Sequence, residues 1–113
     1  MTTSASPSGS EVSVADHPEQ HRFEAVLDGQ RVGLAAYELS SSAITLTHTE
    51  VDDSAEGKGV GSVLARSALD AARERGLQVV PQCPFIARYI SRHHEYLDLV
   101  PDEARQMVDR QAG

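Results

Sequence analysis

Hydrophobic and polar residues alternate through the first half of the chain, then change to a helical spacing. In His21 to Leu27, Phe23, Ala25 and Leu27 fall on one side of an extended backbone, which predicts a half-buried strand. Asp28-Gly29 follows, a pair that accepts positive φ and so marks a tight hairpin. Arg31 to Leu39 is the return strand, Ser40-Ser41-Ser42 a second turn, and Ala43 to Val51 a third, β-branched strand. Strict alternation in that strand puts Ile44, Leu46, His48 and Glu50 on one face, with Thr45, Thr47, Thr49 and Val51 on the other. The three strands predict an antiparallel meander.

Past the acidic stretch Asp52 to Glu56, apolar residues recur at Val60, Val63, Leu64, Ala68, Ala71 and Ala72, the period of an amphipathic helix. Arg73 and Arg75 suit the negative end of its dipole, and Gly76 is a natural stop. Leu77 to Val80 reads as a short buried strand. A strand–helix–strand unit makes a crossover, so this strand is expected to lie parallel to the one before the helix. Gln82-Cys83-Pro84 opens a second helix over about Phe85 to His93, and Pro101 to Gln111 reads as a short charged helix. The expected class is α+β: a three-strand antiparallel meander, then helix, parallel strand and helix. Residues 1–15 are rich in Ser, Thr, Pro and Gly with one charge, too little apolar surface to offset ordering entropy. They are expected to form a disordered tail before a single domain at 16–113.

Composition narrows the function. The 113 residues carry 17 acidic side chains against 10 Lys and Arg, a formal charge of −7. A protein held to nucleic acid by phosphate neutralisation needs the opposite balance. A lone Cys excludes a disulfide framework and a four-Cys zinc module. No apolar run approaches a membrane span, and no basic, then apolar, leader opens the chain. The expectation is a cytoplasmic protein with neither nucleic-acid nor membrane partners, a monomer or, through an exposed sheet edge, a homodimer. No metal site is expected. His93 and His94 are adjacent and diverge on a helix, and Pro18 interrupts the His17/His21 pair.

The chemistry centres on Gly57-Lys58-Gly59-Val60-Gly61-Ser62. Alternate glycines bare the backbone at the start of a helix, where free amides and the dipole attract an anion. The loop is not a P-loop, which needs Gly-Lys-Ser/Thr at its end. It is not the dinucleotide fingerprint either: the third glycine is missing from either starting point, and antiparallel strands precede it. A phosphate or pyrophosphate cradle and a plain turn before a helix are the readings left.

In its place after the meander, the loop is similar to the acyl-CoA pyrophosphate loop of the GNAT superfamily of N-acetyltransferases, Arg/Gln-x-x-Gly-x-Gly/Ala. Thr47-His48-Thr49-Glu50-Val51 before it, Val79-Val80-Pro81-Gln82-Cys83-Pro84-Phe85 after it and Arg92-His93-His94-Glu95-Tyr96 near the end resemble a small single-domain branch with a Cys-Pro-Phe motif. The resemblance spans roughly His21 to Val100. Two positions depart from it: Glu56 stands where the superfamily has Arg or Gln, and His94 where the branch often has Pro. A carboxylate at Glu56 must point away from a bound pyrophosphate or be paired.

The resemblance implies acetyl-CoA as donor and an amine, on a small molecule or a peptide, as acceptor. It implies that the strands flanking the helix splay to admit the pantetheine arm beside Val51. The amides of Gly57, Lys58, Gly59, Val60, Gly61 and Ser62 would then hold the pyrophosphate, with Lys58 available as a further charge. Glu50 and His48 are candidate proton acceptors, and a backbone N–H near Glu50 or Val51 a candidate oxyanion donor. Cys83, beside a helix start, is either an acyl-accepting nucleophile or pocket wall. Tyr96 and Tyr89 are candidate donors to the leaving thiolate, and Arg88 and Arg92, one turn apart, candidate phosphate contacts. The competing function is a non-catalytic acyl-CoA-binding or regulatory module. An acidic surface would favour cationic amines such as polyamines or lysine tails.

Overall fold

The structure is a computed structural model that describes residues 12–55 and 57–112. Its strands are β1 (Ser13–His17), β2 (Arg22–Leu27), β3 (Gln30–Leu39), β4 (Ala43–Val51) and β5 (Gln78–Pro81). Its helices are α1 (Val60–Glu74), α2 (Pro84–Arg92) and α3 (Arg105–Ala112). The sheet order is β1-β2-β3-β4-β5, antiparallel except for the parallel β4–β5 pair. The meander and the crossover are therefore as expected. At the hairpin, Asp28 has φ 53° and Gly29 φ 81°, the left-handed pair that a two-residue turn requires.

Two expectations are corrected. First, residues 13–15 belong to β1, not to a tail: Ser13 pairs with Val26, Val14 with Ala25 and Ala15 with Glu24. The strand is held by more than its own short pattern. The Tyr37 hydroxyl donates to Asp16 Oδ1 at 2.6 Å, and Arg75 at the end of α1 reaches Asp16 Oδ2 at 2.7 Å. Residues 1–11 of the expected tail lie outside the described residues, as does Glu56.

Second, β4 does not alternate strictly. Ala36 faces His48 but Tyr37 faces Leu46, so Thr47 is an extra residue, a β-bulge, and the phase of the strand reverses across it. Ile44 and Leu46 lie on the helix-covered face before the bulge, and Thr49 and Val51 lie there after it. His48 and Glu50 turn to the opposite face. Gly33, paired with Val51, marks the covered side: a Cβ there would sit 2.8 Å from the Glu50 carbonyl oxygen and 3.1 Å from side-chain atoms of Leu64 and Val60.

The core lies between that face and the helices. Phe23, Ala25, Ala35, Tyr37, Ile44 and Leu46 meet Val60, Leu64, Ala68, Leu69 and Ala72 of α1, and Ile86 and Ile90 of α2. The apolar positions on α1 fall at the predicted spacing, and Gly76, φ 70°, follows its C-cap. On the other face Val26, Leu34, Ala36, Thr45 and Thr47 are only half-buried. The C-terminal helix starts at Arg105, later than its charge pattern suggested, because a 3-10 turn at Asp102–Ala104 follows Pro101.

Candidate functional site

The β4–β5 pair ends early. Its ladder runs only from Ala43/Gln78 to Leu46/Pro81, and one further bond, Cys83 N–H to the Leu46 carbonyl at 2.9 Å, closes it. Beyond that point β5 turns into α2, because Pro84 cannot donate to a ladder but fits the first helical turn. The β5-facing edge of β4 from His48 to Val51 is left without a strand partner. This is the splay that the resemblance implied.

At the mouth of this fork a groove of about 380 Å³ is lined by Val51, Ala55, Gly57, Gly59, Val60, Gly61, Ser62 and Phe85. Gly57 and Gly59 adopt φ 83° and 77°, and a Cβ on either would meet no protein atom within 4 Å. Gly59 is the N-cap of α1 and no side chain caps it. The first intrahelical bond is Val63 N–H to the Gly59 carbonyl, so the amides of Val60, Gly61 and Ser62 lead the helix without intrahelical acceptors. The Lys58 amide is different: it donates to the Ala55 carbonyl at 3.2 Å, so it serves the turn. Gly61 is bare for another reason. A Cβ there would lie 2.7 Å from Cζ of Phe85, so this glycine makes room for an aromatic ring.

The predicted catalytic residues separate into three places. Cys83, 4% exposed, is the N-cap of α2 and donates its thiol to Thr49 Oγ1 at 3.4 Å. His48 and Glu50 form a pair, Nε2 to Oε2 2.7 Å, with side chains 59% and 62% exposed. They lie on the far face of the same strand, because the bulge at Thr47 parts them from Ile44 and Leu46 and leaves Thr49 on the covered side. Tyr96 is not with either. It follows the C-terminal end of α2, a nine-residue helix that rises roughly 13 Å at 1.5 Å per residue. Its hydroxyl donates to Asp70 Oδ1 at 2.8 Å. Burial, then that carboxylate, push its pKa up to about 12. Tyr96 and Asp70 brace α1 against the following turn, with Arg73 bonded to Asp98 beside them.

Thr49 and Phe85 are the residues that sequence reasoning left out of the site. Thr49 was assigned to the wrong face. Phe85 carried a signal, a large aromatic just after a helix-opening Pro, and it is 42% exposed. Beyond its ring, a smaller hollow of about 100 Å³ is lined by Ser62, Phe85, Arg88, Tyr89, Arg92 and His93. Arg88 and Arg92 thus stand at one end of the groove. Burial raises the pKa of Tyr89, and Arg66, whose charge reaches that hydroxyl, opposes the rise.

The open glycines, the first amides of α1 and the forked sheet border one trough. The space over Gly57 and Gly59, which no side chain of the described residues fills, has room for a group of diphosphate size. The family model for GCN5-related N-acetyltransferases matches residues 22–99. The chain belongs to this family. Among curated relatives it resembles Protein NATD1 of Mus musculus, 29% identical over 92 residues, covering 80% of this chain and 84% of the relative. Protein NATD1 of Xenopus tropicalis matches with the same identity and coverage. Protein NATD1 of Homo sapiens is 29% identical over 87 residues, 75% of this chain and 77% of the relative. The GCN5-related family match therefore rests on the chain from β2 to the turn after α2, the part that builds the trough. Among the described residues, no helix is long and apolar enough to cross a membrane, and no group of three or more His, Cys, Asp or Glu could hold a metal ion.

Proposed function

We propose that this acetyltransferase is a minimal, cytoplasmic enzyme of the Cys-Pro-Phe branch that moves an acetyl group from acetyl-CoA to an amine. The observation that carries the reading is the fork between β4 and α2 opening directly onto the uncapped first turn of α1. Acetyl-CoA would supply the activated acyl group at the fork. The amides of Gly59, Val60, Gly61 and Ser62 hold its diphosphate, and the unpartnered edge of His48 to Val51 aligns the pantetheine arm. An outward N–H near Glu50 or Val51 stabilises the oxyanion.

The acceptor enters from the open face of the sheet, where the Glu50–His48 pair takes the proton of the amine, directly or through water. The nitrogen attacks the acyl carbon, the C–N bond forms and the C–S bond breaks. The sulfur leaves with the bond pair and is protonated from solvent, since the Tyr96 hydroxyl is bonded to Asp70. Cys83, nearly buried and bonded to Thr49, is wall to the acyl pocket in this scheme. Glu50 gives a cationic acceptor an opposite charge to approach.

The test is release of free CoA thiol from acetyl-CoA with a panel of polyamines, small amines and lysine peptides, with Gly59→Glu as control. Turnover that the folded control lacks supports the reading. CoA binding without turnover across the panel would make the chain a non-catalytic acyl-CoA-binding module. Absence of binding at millimolar CoA would end both.

A further inference from the structure

The described cations divide into two sets. Arg22, Arg31, Arg73 and Arg75 each pair with a carboxylate, and Arg105 donates to the Val100 carbonyl. Lys58, Arg66, Arg88, Arg92 and Arg110 make no ion pair among the described residues, although acidic side chains outnumber basic ones in the chain. Lys58 belongs to the glycine loop and Arg110 lines a separate hollow, but Arg66, Arg88 and Arg92 lie around one place. Arg88 and Arg92 are four residues apart on α2, so they share a face, and both line the 100 Å³ hollow beyond Phe85. Arg66 stands one turn along α1 from Ser62, and its charge is felt at Tyr89 on the hollow's wall. Leaving three guanidinium groups together without counterions costs stability through mutual repulsion. A site that receives an anion explains that cost.

The hollow shares Ser62 and Phe85 with the main groove. Its lining includes neither Val51 nor Gly57 and Gly59, so it adjoins the groove on the Ser62 and Phe85 side. Its volume holds a group a few waters in size. Along CoA the order is thiol, pantetheine, diphosphate, then adenosine with its 3′-phosphate. With the thiol at the fork and the diphosphate on the α1 amides, the group that arrives beyond Phe85 is the phosphorylated ribose.

We propose that Arg88 and Arg92 form a subsite for the 3′-phosphate monoester of the coenzyme, so that the protein selects CoA over 3′-dephospho-CoA. This rests on the acetyl-CoA reading above. Arg66 adds to the field, and the exposed Phe85 ring is the wall the nucleotide passes.

The experiment is calorimetric titration of the full chain with CoA and with 3′-dephospho-CoA, for wild type, Arg88→Ala/Arg92→Ala and Arg110→Ala. Arg110 carries the same charge on the other side of α2, in a separate hollow. Wild type is expected to prefer CoA by about tenfold or more, the worth of one charge-assisted hydrogen bond. The double variant should lose that preference while keeping its affinity for 3′-dephospho-CoA, and Arg110→Ala should keep the preference. The preference should shrink as salt is raised. Equal wild-type affinity for the two ligands, or a preference that survives in the folded double variant, overturns the subsite and leaves the acetyl-CoA reading standing. Binding of neither ligand overturns both.

Discussion

The Cys83 thiol points across the fork at the Thr49 hydroxyl, with 3.4 Å between sulfur and oxygen. Only the bulge at Thr47 makes this possible, since unbroken alternation would carry Thr49 to the other face. The sulfur is thereby occupied and nearly closed to solvent. Incubation with acetyl-CoA is therefore expected to leave no acetyl adduct on Cys83 by intact mass. Cys83→Ala should keep turnover within a few-fold and lose about 1 kcal/mol of stability, the scale of a small buried deletion. A stable adduct that Cys83→Ala abolishes, together with lost turnover, would move the acyl group onto the thiol.

At Gly59 the left-handed backbone and the empty space above it predict a small effect on the fold and a larger one on the ligand. Gly59→Ala adds roughly 1 kcal/mol of backbone strain and no clash with the protein. Melting should show a small drop. CoA affinity, read by calorimetry, should fall about tenfold or more, on the scale of a lost charge-assisted hydrogen bond.

Gly61 and Phe85 should be coupled. A methyl at Gly61 forces the Phe85 ring to move, since Cζ stands 2.7 Å from the Cβ position. Gly61→Ala alone should therefore disturb the groove, whereas in a Phe85→Ala background it should be nearly silent. The expected coupling in a double-mutant cycle on stability or CoA affinity is about 0.5–3 kcal/mol, the range for residues in contact. Additive effects would place the ring elsewhere in solution.

Gly33 faces a harder obstacle, the Glu50 carbonyl at 2.8 Å with Val60 and Leu64 behind it. The nearest of these is backbone, and the Leu64 and Val60 methyls are packed in the core, so Gly33→Ala must part β3, β4 and α1. We expect a loss of about 1–3 kcal/mol in chemical denaturation, the cost of overpacking, and a weakened groove, because Val60 also lines it.

Alkaline pH should unfold the protein through two tyrosines. Burial is the larger cause for both Tyr37 and Tyr96, and the carboxylates of Asp16 and Asp70 add to it; each pKa is pushed up to about 12. The unfolded value is about 10. The folded state thus holds these protons more tightly, and its stability is fully present below pH 10. It is lost as pH rises from 10 toward 12, where the unfolded chain binds fewer protons. Melting temperature should fall steeply across that window, and less steeply in Tyr96→Phe.

Much of this was legible in the sequence, for stated physical reasons. Phe23, Ala25 and Leu27 advertise a strand because burial on one face needs a period of two, and Asp28-Gly29 advertises its turn because few residues accept positive φ. The α1 spacing and the glycine loop are equally local signals. The bulge was not legible. It depends on how Ala36 and Tyr37 register against β4, a relation between distant strands that no spacing within Thr45 to Val51 encodes. The same holds for β1, whose anchor is a bond from Tyr37 to Asp16. Tyr96 looked like a site residue because it ends one of the motifs that carry the resemblance and offers a hydroxyl. Its partner, Asp70, is 26 residues away.

The single surplus residue at Thr47 has a kinetic consequence under this scheme. Donor and acceptor reach the reacting carbon through separate doors, one on each side of the strand. Neither must leave before the other arrives, and a bulky acceptor need not thread past the nucleotide. Initial-velocity plots should therefore intersect rather than run parallel.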